Sequence, residues 1–337
     1  GFSTGLNYSH AKVAPREEIV GLASVLKKGK IYSTHLRDEE AGIYESVLET
    51  IETAKNIQAG VEISHFKSVG KNNWPLFDKC LAEIEKAAEN YDINFDIYPY
   101  TSTATVLYTL LPDWIAVGGR FQLVENLRND EFKTKVVGEL QIKEDELKEI
   151  IIASGKVDKV FIGKTIGEIA KNQDKSVAET MVNLLIAAEG KLIGFWQAIS
   201  EENFIKALKS PLSIIASDGA AYNVENAKDG FLVHPRSFGC FSKILGRYVR
   251  EKQVISIEEA IKKMTALPAL KAGLFYRGVI KPRYFADIAI FNPELIKDMA
   301  TFENPFQYSQ GIHAVVINGR IALLNGQIKN QALGQLL

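Results

Sequence analysis

Apolar and polar positions in the N-terminal third of the chain alternate between two periods, one typical of buried strands and the other of amphipathic helices. Short β-branched runs occupy 30–34, 61–64 and 93–97. The segments between them, such as 15–28 and 40–59, repeat apolar residues at helical spacing. Strands that alternate with helices in this way predict βαβ units, and therefore a parallel sheet or barrel.

The β/α pattern breaks between residues 101 and 190, where hydroxyl-rich, tryptophan-containing and charged stretches follow one another. We interpret 101–190 as an insertion into the β/α series. Inside this segment, 160–169 resembles a short strand and turn, and 176–188 resembles an amphipathic helix.

Beyond the insertion, the pattern predicts a strand that ends at Asp218 and helices at 241–251 and 256–272. Short apolar runs near the C terminus then predict further strands. Asn318 and Gly319 lie between two of these runs and indicate a hairpin turn.

Three predicted strands end on side chains that can bind a metal or transfer a proton, namely His35, His65 and Asp218. The carboxyl ends of parallel strands converge on one face of a β/α protein, so we expect these side chains at one site. A single histidine at a strand end is more often structural, and an Asp-Gly pair is common in turns. The second histidine, one β/α unit after the first, is what favours a metal site.

Other candidate side chains have equally ordinary explanations. Lys67 follows His65 closely but could be a solvated charge, and Arg236 could pair with a nearby carboxylate. Tyrosines at strand ends are by default core or rim residues, which applies to Tyr8, Tyr98 and Tyr100. We interpret the remaining histidines, in loop or edge contexts, as structural: His10, His234 and His313.

Composition narrows the class of partner. With 337 residues, 46% of them hydrophobic, the chain can bury a large core in one large domain or two ordinary ones. The net charge of −1 disfavours nucleic acid and anionic membrane surfaces, and a small-molecule substrate fits better. Cys80 and Cys240 form no CxxC pair, so we expect no disulfide framework, and the cytoplasm is the expected compartment.

Several segments, taken together and in order, resemble one family. They are GFSTGLNY, STHLRDE, ISHFKSVG, FDIYPYTS, SDG followed by HPR, SIEEAIKKMTALPA, ADIAIFNP and VVINGR. As a set they resemble the N-acyl-D-amino-acid deacylases, or D-aminoacylases, of the amidohydrolase superfamily. The resemblance covers nearly the whole chain apart from the insertion.

The resemblance implies an α/β fold, a (β/α)8 TIM barrel, of which this chain would hold only the C-terminal part, about strands 4 to 8. Residues 1–275 would form this partial barrel, interrupted by the insertion. Residues 276–337 would supply C-terminal strands of a small β-sandwich domain. The chain begins at Gly1 without an initiator methionine, so we expect an N-terminally truncated member of the family.

The resemblance also implies a reaction, the zinc-dependent hydrolysis of N-acyl-D-amino acids to a carboxylate and a free D-amino acid. The metal ligands would be His35 and His65, and Asp218 would be the general acid/base. The substrate-binding residues would be Tyr8 beside the scissile carbonyl and three side chains on the α-carboxylate: Lys67, Tyr98 and Arg236. Lysine and arginine suit a carboxylate, and arginine can hold it with two hydrogen bonds.

The chain departs from the family pattern in ways that leave alternatives open. It contains neither the HxH pair nor the metal-ligating cysteine of family members, and Arg283 stands where they usually have a glycine. The piece could be inactive alone, or act as a binding scaffold that self-associates through exposed barrel edges. A cyclic-amide hydrolase of the dihydropyrimidinase type is the alternative enzyme.

Overall fold

The computed structural model describes residues 1–8 and 10–336. Its strands, in chain order, are β1 (Phe2–Gly5), β2 (Ile31–His35), β3 (Gly60–Ile63), β4 (Ile93–Ile97), β5 (Ser102–Val106), β6 (Ile151–Gly155), β7 (Leu192–Gln197), β8 (Ser213–Ile215), β9 (Ile288–Phe291), β10 (Ile312–Ile317), β11 (Arg320–Leu324) and β12 (Gln327–Ile328).

The α-helices, in the same order, are α1 (Arg16–Ala23), α2 (Ile43–Asn56), α3 (Leu76–Ala88), α4 (Asp113–Ala116), α5 (Gly119–Arg128), α6 (Asp130–Leu140), α7 (Glu144–Leu147), α8 (Ile166–Gln173), α9 (Val177–Ala187), α10 (Glu201–Lys209), α11 (Arg236–Lys243), α12 (Ile257–Met264) and α13 (Ala266–Lys271). A π-helical stretch, Ile244–Glu251, continues α11.

The central sheet has five parallel strands in the order β1-β2-β3-β4-β8. Helices α1, α2 and α3 connect its first four strands, as the alternating periods predict. The crossover from β4 to β8 is different because it contains the whole segment that we interpret as an insertion.

The two faces of the central sheet differ in polarity. One face carries fully buried apolar side chains, among them Val61, Ile63 and Phe95, and helices α2 and α3 pack beside it. The other face carries half-buried polar side chains. Ser33 there donates a hydrogen bond to Glu62 (3.0 Å), on the neighbouring strand. Side chains alternate along each strand, so His35 points to the same polar face as Ser33.

The segment between β4 and β8 builds an antiparallel sheet in the order β5-β7-β6, with helices α4 to α9 around it. It has an apolar core of its own, which includes Leu107, Ile115, Leu123, Met181 and Leu185. The two ends of the segment meet where the N–H of Ile199 donates to the carbonyl of Thr101 (2.9 Å).

The predicted strand at 160–169 is wrong. Helix α8 begins inside it, because the Thr165 side chain accepts the backbone N–H of Glu168 while the Glu168 carboxylate accepts the N–H of Thr165. This capping box stabilises a helix start where the apolar residues alone resemble a strand. The predicted helix at 176–188 is confirmed as α9.

The C-terminal strands form an antiparallel sheet in the order β12-β11-β10-β9. Asn318 and Gly319 join β10 to β11 with φ of 48° and 77°, and positive φ at both positions is what a type I′ hairpin turn requires. Arg283 has φ of 72°, in the left-handed region that favours glycine.

Within residues 1–8 and 10–336, no helix is both long enough and apolar enough to cross a membrane.

Lys263 of α12 is a buried cation that fastens this helix to the start of β8. Its side chain is 1% exposed, and its Nζ donates to the carbonyl of Ser210 (2.5 Å) and the hydroxyl of Ser213 (2.8 Å). We expect Lys263→Met to lower the free energy of unfolding by about 2 kcal/mol, because both acceptors lose their donor. Urea denaturation measures the loss.

Lys262→Met is the matched control, since the Lys262 side chain is about half exposed. Its effect should stay within about 0.5 kcal/mol. Equal losses for the two variants would contradict a fastening role for Lys263.

Candidate active site

Two histidines meet at the carboxyl edge of the central sheet. His35 is the last residue of β2, and His65 follows the end of β3 with φ of 41°. Their rings lie 4.4 Å apart between centroids and are nearly perpendicular, at 72°. The convergence expected from the strand ends is therefore present.

A carboxylate that the sequence analysis missed lies between these histidines. Oε1 of Glu39 is 3.0 Å from Nδ1 of His65, and its Oε2 is 3.8 Å from Nε2 of His35. In the described part of the chain, His35, Glu39 and His65 form a group whose possible ligand atoms all lie within 4.8 Å of one another. The available signal was the position of Glu39, four residues after His35 in the same loop.

Lys67 is turned toward the same group. Its Nζ donates to Oε1 of Glu39 (2.6 Å), to Nδ1 of His65 (3.0 Å) and to the His65 carbonyl (3.1 Å). Burial alone would raise the pKa of the Glu39 carboxyl, but Lys67 and the two histidines hold that pKa well below its usual range. Burial would lower the pKa of Lys67, and Glu39 more than offsets it, so this pKa is raised.

The electrostatic environment favours neutral His35. Burial lowers its pKa to about 4, against the opposing pull of Glu39. Its Nε2 is buried, and within residues 1–8 and 10–336 it has no hydrogen-bond partner. Neutral imidazole with an uncommitted nitrogen is the form that binds a metal ion.

Asp96 holds the backbone of His65 in place with a hydrogen bond. This carboxyl on β4 accepts the backbone N–H of His65 (2.8 Å). Burial, followed by the nearby Glu62 carboxylate, raises the pKa of Asp96 well above its usual range.

Asp218 and Arg236 form an ion pair at the same site. Nη2 of Arg236 lies 2.9 Å from Oδ2 of Asp218, which has φ of 47° and follows the end of β8. The Arg236 guanidinium is stacked over the ring of Tyr98 with its Cζ 4.6 Å from the centroid. Lys67 Nζ is 5.9 Å from the same centroid, so the three predicted carboxylate-binding side chains lie together.

One cavity of about 450 Å³ joins most of these groups. The predicted site residues in its lining are Tyr8, His35, His65, Lys67, Asp218 and Arg236. Tyr98 is the exception. It lines a small adjoining cavity, which also contacts His65 and Lys67. Tyr8 approaches the site closely because residue 5 is glycine, where an added Cβ would lie 2.6 Å from the Tyr8 ring.

A second cavity of about 470 Å³ adjoins the first and shares Tyr8, Asp218 and Arg236 with it. Its wall is more apolar, and is lined by side chains such as Ile193, Phe195, Tyr222 and Phe231. Two spaces therefore open from the Asp218–Arg236 pair, one charged and one largely apolar.

The remaining histidines and the cysteines of the described residues lie outside the candidate metal-binding group of His35, Glu39 and His65. His234 holds the start of α11, because its Nε2 donates to the Ser102 carbonyl (3.1 Å) and its Nδ1 accepts the N–H of Arg236 (3.1 Å). Cys80 and Cys240 are buried within helices α3 and α11. Burial raises the pKa of both thiols, which is typical of inert cysteines.

Comparisons with known proteins agree with this geometry. A family model described as "Amidohydrolase family" matches residues 222–323. The D-aminoacylase of Alcaligenes xylosoxydans xylosoxydans is 30% identical over 338 residues, which cover 100% of this chain and 61% of that protein. The crystal structure of N-acyl-D-glutamate deacylase from Bordetella bronchiseptica, complexed with zinc and a phosphonate inhibitor, has a TM-score of 0.79 at 26% identity. It is matched over 97% of this chain and 60% of its own.

The chain is thus similar over its whole length to D-aminoacylases, which are amidohydrolases. A D-aminoacylase variant crystallised with copper chloride has a TM-score of 0.80 at 28% identity, matched over 100% of this chain and 62% of its own. The mixed α/β fold is therefore of the amidohydrolase type. The chain spans about 60% of the length of these D-aminoacylase relatives.

His234 makes the stability of this chain depend on pH. Burial, and next the charge of Arg236, lower its pKa well below 6.5, so the folded state excludes a proton that the unfolded state binds. Stability therefore falls as pH drops below 6.5, by up to about 1.4 kcal/mol per pH unit from this group. We expect His234→Gln to flatten the slope of unfolding free energy between pH 7 and pH 5.

His313→Gln, at an exposed histidine on β10, is the control and should keep the wild-type slope. Urea denaturation across this pH range measures all three slopes. If His234→Gln kept the wild-type slope of unfolding free energy against pH, His234 would not be the cause of the pH dependence.

Proposed function

We propose that this protein hydrolyses N-acyl-D-amino acids to a carboxylate and a free D-amino acid, with zinc as its cofactor. The observation that carries the proposal is that one cavity is lined by His35 and His65 together with Asp218 and Arg236. Support also comes from the relatives, which are named as deacylases of N-acyl-D-amino acids.

The residues at the edge of the sheet fit a zinc ion. The unpartnered Nε2 of His35 and the nearby Nδ1 of His65 are nitrogen donors of the kind that zinc prefers, and the Glu39 carboxylate lies beside both. The relative from Bordetella bronchiseptica was crystallised with zinc. Bound zinc would acidify a water molecule and polarise the amide carbonyl of the substrate.

Asp218 would serve as the general acid/base. It would accept a proton as water attacks the carbonyl carbon, and would return that proton to the amine nitrogen when the C–N bond breaks. Its ion pair with Arg236 keeps the carboxylate oriented toward the shared cavity. Tyr8, whose ring centroid is 5.2 Å from that of His35, would lie beside the scissile carbonyl.

Three side chains would bind the α-carboxylate of the substrate. Arg236 has a buried Nη1 that lacks a hydrogen-bond partner in the described structure, so it keeps a free donor beside its contact with Asp218. Lys67 adds a second positive charge, and the Tyr98 ring lies within 6 Å of both cations. If the α-carboxylate and the scissile carbonyl of the substrate are held at separate points, the substrate side chain can point in only one direction. This restriction would account for selectivity for the D enantiomer.

We also propose a domain organisation for the chain. The five-stranded parallel sheet would be part of a (β/α)8 barrel within residues 1–275, with 101–190 inserted. Residues 276–337 would belong to a small β-sandwich domain. The match to solved deacylases over 97% and 100% of this chain supports this arrangement.

The first experiment measures zinc by elemental analysis of the purified chain together with its hydrolysis of N-acetyl-D-methionine, N-acetyl-D-glutamate and their L enantiomers. We expect about one zinc per chain and selectivity for the D form. A zinc-loaded chain that hydrolyses none of these substrates would contradict the proposal. Preference for cyclic ureides would instead favour a dihydropyrimidinase-like enzyme, and concentration-dependent self-association without zinc would favour a scaffold.

Asp218→Asn tests the acid/base. We expect kcat for N-acetyl-D-methionine to fall about 10²- to 10⁴-fold, since an amide cannot carry the proton. Zinc content measured on the same sample should be unchanged. Asp78→Asn, on the exposed surface of α3, is the control. Retention of kcat in Asp218→Asn would remove Asp218 from the reaction.

Arg236→Lys tests carboxylate binding. We expect kcat/KM for N-acetyl-D-methionine to fall about 10- to 100-fold, because a lysine ammonium lacks the planar fork that can place one donor on Asp218 and another on the substrate carboxylate. The loss should shrink for N-acetyl-D-methioninamide, which has no carboxylate to hold. Arg247→Lys, at a surface pair with Glu201, is the control. An equal loss on both substrates would mean that Arg236 acts only through Asp218.

A further inference from the structure

His234 is a buried histidine whose two ring nitrogens both bond to backbone groups. It lies two residues before Arg236 and is 4% exposed. Its Nε2 donates to the carbonyl of Ser102 (3.1 Å), and its Nδ1 accepts the N–H of Arg236 (3.1 Å). A carbonyl only accepts and an N–H only donates, so the two bonds together require the neutral ring with its proton on Nε2. One side chain therefore joins the start of β5 to the start of α11.

We propose that His234 is a positioning residue for Arg236. Through its Nδ1 it fixes the first residue of α11, so that the guanidinium reaches Asp218 and the α-carboxylate of the substrate at the same time. This inference rests on the proposed function for the presence of that carboxylate. The resemblance to the deacylases implies a role for Arg236 but none for His234.

The start of α11 depends on His234 because a proline precedes the helix. The first N–H groups of a helix have no acceptor within it, and a side chain at the N-cap position often accepts one of them. Pro235, at this position, has no side-chain acceptor. His234 accepts two of these N–H groups instead, that of Arg236 at Nδ1 and that of Ser237 at its carbonyl (3.0 Å). His234 thus replaces the cap that proline cannot provide.

Aromatic side chains hold the imidazole ring of His234 in one orientation. The rings of Tyr100, Phe195 and Phe302 lie 5.1, 5.5 and 5.1 Å from it between centroids, and each is nearly perpendicular to it. Edge-to-face contacts of this kind are favourable, and three of them leave the ring little freedom to rotate. The position of Nδ1 is therefore set by side chains that lie outside α11.

Arg236 needs this precision because its guanidinium makes several contacts at once. Its Cζ is 4.6 Å from the centroid of the Tyr98 ring, Nη2 is 2.9 Å from Oδ2 of Asp218, and Nη1 lacks a partner among the described residues. Tyr98 lies four residues before Ser102, so the bond from His234 to Ser102 also holds the segment that carries this ring close to α11. A binding group that is misplaced by about 1 Å can cost about 100-fold in rate.

The loop that carries Asp218 packs directly against the same helix start. A Cβ added to Gly219 would lie 2.8 Å from Cα of Ser237, closer than such contacts allow. The lack of a side chain at residue 219 therefore lets Asp218 and Arg236 approach each other. Two backbone contacts, this one and the bond from His234, fix the start of α11 relative to Asp218.

Two amide substitutions separate the two hydrogen bonds of His234. In His234→Asn the amide oxygen can take the place of Nδ1 and accept the N–H of Arg236. In His234→Gln the amide nitrogen can take the place of Nε2 and donate to Ser102. Both variants lose the ring and its packing, so the contrast between them isolates the bond to Arg236. We expect kcat/KM for N-acetyl-D-methionine to fall at least about 10-fold in His234→Gln and to stay within about 3-fold of wild type in His234→Asn.

A second substrate and a second background test whether the loss passes through Arg236. The loss in His234→Gln should shrink for N-acetyl-D-methioninamide, which has no carboxylate. In a double-mutant cycle, His234→Gln should also cost less in the Arg236→Lys background than in wild type, because the side chain that it positions is already changed. An equal loss on both substrates and in both backgrounds would show that His234 only supports the fold, and the proposal would fail.

His313→Gln, at an exposed histidine on β10, is the matched control and should keep the wild-type kcat/KM. Circular dichroism and urea denaturation check that each variant is folded. If His234→Gln does not fold, the same contrast is made between His234→Asn and His234→Leu, since leucine also offers no acceptor to Arg236. A loss of at least about 10-fold in folded His234→Asn would contradict the role of Nδ1.

Equilibrium binding keeps this inference separate from the proposed function. Calorimetry measures Kd of N-acetyl-D-methionine for the zinc-loaded wild type and each variant. A wild-type chain that binds this ligand without hydrolysing it would refute the proposed function alone, and Kd would then replace kcat/KM in every comparison. Equal affinity and equal kcat/KM in wild type and His234→Gln would overturn the inference alone. Absence of binding and hydrolysis in wild type would overturn both.

Discussion

The parallel pairing of β4 with β8 is the constraint on which the candidate site depends. Ile97 lies opposite Ile215, and the N–H of Ala216 donates to the Ile97 carbonyl (3.0 Å). Both strands leave the sheet at the same edge, so the chain after β8 carries Asp218 to the cavity that His35 and His65 also line. Residues more than a hundred positions apart thereby share one site, although no local interaction holds them together.

Charge balance then orders the loops that leave this edge. The Glu39–Lys67 pair joins the loop after β2 to the loop after β3, and the Asp218–Arg236 pair joins the loop after β8 to the start of α11. Each pair contains a side chain with low exposure, so removing one partner leaves a charge in a medium that solvates it poorly. The groups that hold the site together are thus those available for its chemistry, and any rearrangement there must exchange one charged partner for another.

The strand-end residues are predictable from the sequence because the carboxyl ends of parallel strands meet at one edge of a sheet. His35, His65 and Asp218 could be predicted to converge without knowledge of the loops. Glu39 could not, because its position depends on a loop folded back so that the N–H of Val69 donates to its carbonyl (2.7 Å). Helix α8 was missed for a related reason, since the reciprocal hydrogen bonds at Thr165 outweighed the strand-like apolar pattern. The roles of the site residues remain predictions.

The two ends of the segment between β4 and β8 are held together by the hydrogen bond from Ile199 to Thr101, and this affects how the chain folds. A flexible loop of this length would slow the pairing of β4 with β8, because loop closure costs entropy before any contact repays it. The antiparallel ladder of β5 with β7, together with the Ile199–Thr101 hydrogen bond, brings the ends of the segment together. Once this segment has collapsed around its own apolar core, β4 and β8 are separated by an effectively short tether. A segment between β4 and β8 that folds around its own core would therefore add less closure entropy to this strand pairing than a flexible loop of the same length.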